Sequence, residues 1–414
     1  MNRIETIVYN AVRNNTGLKF ALRNVYQSIF DLMPRKKDFY AKDTVTIENC
    51  FFGFHDISPF SADGSKILVN RSSFDLRKPL PGETLQVGYY GFDNGKPGDF
   101  HVMGESAAWN FHKGCRLQWR DNSSVVFNSA VNNNLVSVCR SLDGTERIIG
   151  FPIDTLSPNG KLATGFSYER LEMCMPGYGY PYKDNGLTDC YAPSETGLFV
   201  IDIEKNTREL AVSLEQLSGQ VTAKGNYFHY VTHSEWSKDG RYISFLHRWV
   251  DLKEVMKRHT RMMVFDTQTK ELIELPSQQS GSHYVWNNRN QIVASCIIDG
   301  KSCHVMFDMS DLTLCRPIAA DKLNSDGHQS FIGDSMFVTD TYPDKRRMAR
   351  IFRVNIEDSS AELLVSAYSP KKFQTKIPEI HIACDLHPRV SADGKYLCWD
   401  TVTTGKRSIR IMSL

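Results

Sequence analysis

Seven times along this 414-residue chain a short segment recurs that reads as one inner β-strand ending in a tight turn, and six of the seven copies begin with histidine. The copies span His55–Gly64, His112–Asp121, Ile153–Gly160, His233–Gly240, His283–Asn290, His328–Ser335 and His387–Gly394. A repeated unit of this size buries its apolar face only by stacking on its neighbours, so the repeat constrains the fold more than any local propensity. It predicts an all-β fold, a seven-bladed β-propeller, with the repeated histidines gathered around one mouth.

Each turn leads into a second strand with β-branched and aromatic alternation, as in Lys66–Val69, Ser124–Phe127, Arg241–Leu246, Gln291–Ala294 and Lys395–Trp399. Third strands such as Leu85–Tyr89, Gly197–Asp202 and Arg261–Asp266 follow, and most blades add an outer strand such as Arg208–Val212. Four strands per blade is the propeller norm. The seventh blade runs out after its third strand, while Thr44–Glu48 has no blade of its own. That segment is expected to supply the missing outer strand and remove an open sheet edge. Residues 43–414 are assigned to the propeller.

Residues 1–42 read as a basic amphipathic helical arm. Ile4, Ile7, Val8 and Ala11, then Leu22, Val25, Tyr26, Ile29 and Phe30, fall at helical spacing on either side of Asn15, Thr16 and Gly17. Lys and Arg outnumber Asp and Glu there and include the run Arg35, Lys36, Lys37. Such an arm suits peripheral contact with an anionic membrane, and packing on the propeller rim is the other reading.

Composition narrows the classes. No apolar run reaches the roughly 18 residues that a membrane span needs. Lys+Arg 49 against Asp+Glu 47 leaves no basic excess for nucleic acid. Ten cysteines without a CxxC pair, and a start lacking the apolar stretch of a signal peptide, imply free thiols and a cytoplasmic location. The absence of GxSxG, Walker, HExxH and GxGxxG strings removes the usual hydrolases, nucleotide enzymes and zincins.

Propeller strands alternate in direction. The loop entering each first strand and the loop joining second to third therefore open on one face, and the Asp-Gly turns lie on the other. The histidines share their face with the insertions 72–84, 169–196 and 249–260, the longest of which carries Tyr178, Tyr180 and Tyr182. Aromatic surface beside polar groups suits sugar rings. Ends of second strands add Arg71, Tyr168, Arg170, His247, Arg248 and Tyr342. Histidine, tyrosine and arginine in one cleft are the parts needed for β-elimination of a uronic acid: a cation for the carboxylate, a base for the adjacent proton, and an acid for the departing oxygen. His283, His328, Gln329, His381, Asp385 and His387 add nitrogen and oxygen donors suited to a divalent metal, and no other cofactor is indicated. Each type also has a structural use: repeat histidines bonding neighbouring blades, Arg248 bridging them, tyrosines packing the insertion.

The strings Trp109–Trp119, Pro176–Tyr180, Thr232–Gly240 leading to Phe245–Trp249, Thr339–Asp344 and Asp385–Arg389, in that order, resemble the seven-bladed propeller polysaccharide lyases, including ulvan lyases and, more distantly, oligogalacturonate lyases. The resemblance covers about residues 48–414. It implies a carbon–oxygen lyase acting by β-elimination on an acidic, uronate-containing oligo- or polysaccharide. His112 and His233 become the base candidates, Tyr168 the acid, and Arg170 or Arg248 the carboxylate partner. His55, Arg71, Tyr178, Tyr180, Tyr182, Tyr342 and Arg389 complete the expected substrate-binding surface. Oligogalacturonate lyases hold a divalent metal with histidines and a glutamine, which implies His283, His328, Gln329, Asp385 and His387 here. Asp385-Leu-His387 stands where those enzymes have two histidines one residue apart. The basic arm in place of an export signal resembles relatives in bacterial surface-polysaccharide synthesis. A non-catalytic glycan-binding or scaffold propeller at the inner membrane is the alternative.

Overall fold

The serine that opens each Ser-x-Asp-Gly turn makes the turn self-sufficient. At Ser61, Ser237 and Ser391 the hydroxyl donates to the aspartate two residues on, at 2.6, 2.6 and 2.7 Å. The same oxygen accepts from the amide of Lys66, Tyr242 or Tyr396, where the second strand begins. Gly64, Gly240 and Gly394 take φ of 70°, 75° and 72°, a region open to glycine without strain. In these three blades the first segment is thereby folded back onto the second strand, and the chain as a whole builds seven antiparallel sheets.

The computed structural model describes residues 25, 27–222, 225–375 and 381–414. The helical spacing expected over 1–24 and at Tyr26 lies outside them. Blades two, four and five have four strands each. In blade one the inner strand is reduced to the bridges Phe51 to Asn70 and Phe60 to Ile67, and in blade three to Leu156 with Ala163. Thr44–Glu48 pairs antiparallel with the last strand, from Thr44 opposite Met412 to Glu48 opposite Ser408, and completes blade seven. Ile47 is buried there with Ile409 and Ile411, in the apolar core that also joins blades one and two.

Part of the arm packs on the propeller. Asp31 takes a two-pronged ion pair from Arg347, at 2.6 and 3.1 Å, and Arg346 donates to the Pro34 carbonyl at 2.7 Å. Phe39–Tyr40 adds a fifth strand to blade six. Among the described residues no helix is long and apolar enough to cross a membrane.

Candidate functional site in the central funnel

The six repeat histidines converge on one ring. Phe54 stands at its hub, with ring centroids 4.6 Å from His55, 4.9 Å from His233, 5.2 Å from His112 and His387, 5.7 Å from His283 and 6.0 Å from His328. All seven side chains are buried. The hub is itself held by the blade-seven seam. Asp400 accepts the amides of Phe52 and Gly53, both at 3.0 Å, and Arg389 donates to Asp400 and to the Gly53 carbonyl. Gly53 has φ of 120°, and a Cβ there would lie 2.8 Å from the Lys113 backbone, so no side chain fits.

Aspartates orient the imidazoles of blades five and six. His283 Nδ1 lies 3.0 Å from Asp326 and His328 Nδ1 lies 2.8 Å from Asp340. Asp340 also accepts the backbone amides of His328 and His387, both at 2.9 Å, and so fixes two histidines of adjacent blades. His387 and His233 have φ of 44° and 56°, a left-handed conformation that costs a non-glycine residue about 1–2 kcal/mol.

What these contacts leave open is chemically informative. Both ring nitrogens of His112, and Nε2 of His328 and His387, are buried with no hydrogen-bond partner among the described residues. Each such group costs about 1–3 kcal/mol when nothing pairs it. His112, Asp385 and His387 offer ligand atoms within 4.8 Å of one another, the one such group among the described residues. Burial, then the neighbouring imidazoles, holds His112 and His387 well below the ordinary histidine pKa, so both are neutral with free lone pairs near pH 7. Burial lifts Asp385 to about 6, against the pull of His328. Two neutral imidazoles and a carboxylate suit a divalent transition metal, and their unpaired atoms fit one. His328 differs: burial is the largest effect and opposes its charge, but Asp340, Asp385 and Asp326 together raise its pKa.

Above this cluster stand Tyr178, its ring 4.3 Å from His112, then His381 at 4.7 Å from His112, and Tyr342 at 5.7 Å from His328. Burial pushes the Tyr178 hydroxyl above the usual phenol range, and it stays protonated. Arg248 is buried with its Nε on Thr260 Oγ1 at 3.0 Å and Nη1 on Met175 Sδ at 3.4 Å. None of the carboxylates among the described residues forms an ion pair with it. Burial lowers its pKa, and its charge is felt by Tyr178, His233 and His283.

Other residues expected in the site serve the framework instead. The Tyr168 hydroxyl donates to Asp154 at 2.7 Å and the ring stacks between Phe166 and Tyr180, so it has no free path to a substrate. The Arg170 guanidinium is saturated by the carbonyls of Gly186, Leu187, Cys190, Tyr191 and His229, and clamps the insertion. Tyr180 donates to the Gly114 carbonyl and Tyr182 accepts from the Gly82 amide, which packs the insertion on blades one and two. Arg71 lies over the Phe100 ring at 3.7 Å and donates to Tyr90, between blade-one strands. Arg389 supports Asp400 beneath the ring. His55 Nδ1 donates to the Gln329 carbonyl, and the Gln329 amide donates to Ser295 Oγ and Gly327 O. His247 bonds His229 and Arg261. Of the metal set expected from the sequence, Asp385 and His387 lie together, and His328 keeps Nε2 unpaired while its Nδ1 is held by Asp340. His112, which that set leaves out, stands within 4.8 Å of Asp385 and His387, and the Nδ1 of His283 faces Asp326.

Sequence reasoning missed Phe54, for which no repeated signal exists, and the roles of Asp326 and Asp340. Asp326 was legible: like Asp385 it precedes a repeat histidine by two residues. Also missed is the buried charge network below the ring. There Asp154 pairs with Lys113 at 3.1 Å, and Arg116 grips Asp56 at 2.8 and 2.9 Å.

No protein-family model and no curated protein matches the sequence. Among solved structures the chain is similar to the tricorn protease, with 10% identity, a TM-score of 0.52 and coverage of 93% of this chain. It spans about a third (34%) of that protease chain. It is also similar to hydrazine synthase of Kuenenia stuttgartiensis, at 12% identity and TM-score 0.48 over 89% of this chain and 97% of that one. A third is the β-propeller domain of the trilobed protease from Pyrococcus furiosus, at 12% identity and TM-score 0.44 over 78% and 86%. The chain is an all-β, seven-bladed propeller. At these identities the likeness concerns the fold alone, and none of the three is named as a polysaccharide lyase.

Proposed function

We propose that the funnel holds a divalent transition metal through His112, Asp385 and His387 and binds an acidic, carboxylate-bearing glycan above it. The observation that carries this reading is the set of buried, unpaired imidazole nitrogens beside Asp385. A bound divalent cation would supply positive charge to a substrate carboxylate and acidify the neighbouring C–H. Arg248, buried with no carboxylate partner among the described residues, supplies a second cation for the same group.

β-Elimination is the reaction these parts suit. His233, neutral through burial and the charge of Lys113, takes the proton next to the carboxylate. The C–H electron pair becomes the new double bond, the glycosidic C–O bond breaks, and Tyr178 protonates the leaving oxygen. Tyr178 replaces Tyr168 as the acid because Tyr168 is held by Asp154. Occupation of Tyr168 and Arg170 by framework contacts favours a second reading, a glycan-binding propeller without turnover.

The test is to measure metal content of the purified chain and then follow the ultraviolet absorbance of unsaturated uronate across a panel of uronate glycans. Bound metal and product formation that chelation abolishes are expected for the enzyme. Metal-dependent glycan binding without product selects the binding reading. Absence of both metal and glycan binding refutes the proposal.

A further inference from the structure

We infer that the funnel-bearing face of the propeller lies against an anionic phospholipid bilayer. The loops joining second to third strands surround the mouth, and in six of the blades they, or the strand ends beside them, expose a large apolar side chain. These are Leu80, Val131, Tyr191, Leu252, Ile297 and Tyr342 in blades one to six. The arm extends the rim beside blades six and seven. It docks through Asp344, Arg346 and Arg347 of one mouth loop and Lys371 and Gln374 of another, and it exposes Val25, Ile29, Leu32 and Met33. Leu32 is 88% exposed and Leu80 63%. The opposite face, built from the Asp-Gly and Asn turns, shows one such side chain among the described residues, Leu314.

A rim of single apolar side chains on separate loops fits a fluid surface better than a protein partner, which calls for a contiguous, shape-matched patch. Each side chain inserted gains roughly 25 cal/mol per Å² of apolar area, and one alone is too weak, so several anchors around the mouth act together. The sign of the lipid follows from charge. Past Met33 and Pro34, Lys36 and Lys37 are exposed beside Arg35, which pairs with Asp38, and Lys372 stands exposed on another mouth loop. A cation near an anionic bilayer contributes about 1 kcal/mol.

This inference does not depend on metal or turnover, and the test is run in chelator to keep the two apart. The full chain is sedimented with vesicles of phosphatidylglycerol and phosphatidylethanolamine, or of phosphatidylcholine alone. Binding to the anionic vesicles is expected to exceed binding to phosphatidylcholine about tenfold and to weaken in about 0.5 M salt. Leu32→Asp with Leu80→Asp, both at exposed positions that leave the core untouched, is expected to lower binding about tenfold, whereas Leu314→Asp leaves it unchanged. Absence of vesicle binding overturns the inference, as does equal loss in the Leu314→Asp variant. So does a concentration-dependent dimer that the rim variants dissociate, because it would make the apolar rim a contact between two copies.

Discussion

His112→Leu should stabilise the metal-free protein while removing its metal. The imidazole buries two nitrogens that no described group hydrogen-bonds, in contact with Phe54, Tyr178 and His381. At about 1–3 kcal/mol each, they burden the fold by roughly 2–6 kcal/mol. Leucine, of similar volume, removes that burden but forfeits the ring contacts, worth about 0.5–1.5 kcal/mol apiece. With three such contacts the net gain is about 0.5–1.5 kcal/mol. With an unfolding entropy of about 2.1 cal/mol/K per residue, a 414-residue chain changes stability by about 0.9 kcal/mol per degree near its midpoint. In chelator the variant should therefore melt about 0.5–2 °C above wild type. In metal at about 100 times its Kd, wild type gains about 2.7 kcal/mol, or about 3 °C, and the variant gains nothing. Differential scanning calorimetry in the two buffers, with metal analysis of each sample, measures all four states. A variant that melts below wild type in chelator, or one that keeps the metal-dependent shift, would falsify the assignment of His112 as an unpaired ligand.

Lys113→Met leaves Asp154 short of a buried partner and should cost about 3–5 kcal/mol in urea unfolding, and a loss under about 1 kcal/mol would show that Arg116 alone compensates the carboxylate. Burial raises Glu235 from the usual 4.5 to about 8, so the folded chain holds a proton there that the unfolded chain releases. Wild type should then lose stability relative to Glu235→Gln as pH rises from about 4.5 to 8, and parallel curves for the two proteins would contradict this. Removing residues 1–48 should lower the melting temperature well beyond removal of 1–43 and promote aggregation through the bared strand Ser408–Ser413; equal behaviour of the two truncations in calorimetry and light scattering would mean the ring does not need its outer strand.

The repeat carried the architecture because its signal is local. A Ser-x-Asp-Gly turn satisfies its own hydrogen bonds within a few residues, so blade number, the face of the histidines and the closing strand at 44–48 were all legible in the order of residues. Convergence of the six histidines followed from strand direction alone. What each imidazole does there was not legible, because it depends on partners far away in the chain. His283 and Asp326 are 43 residues apart, and His112 meets Asp385 from across the ring closure.

The same reason separates Tyr178 from Tyr168, and Arg248 from Arg170. Each pair matches in type and lies on the expected face, but Asp154 and the carbonyls of 186–191 and His229 occupy one member of each and leave the other at the mouth. Residue identity and spacing thus determined the propeller and the set of groups brought to its centre. Only tertiary packing decided which of those groups keep an unpaired atom, since pairing in a closed ring is settled by neighbours that the sequence holds apart.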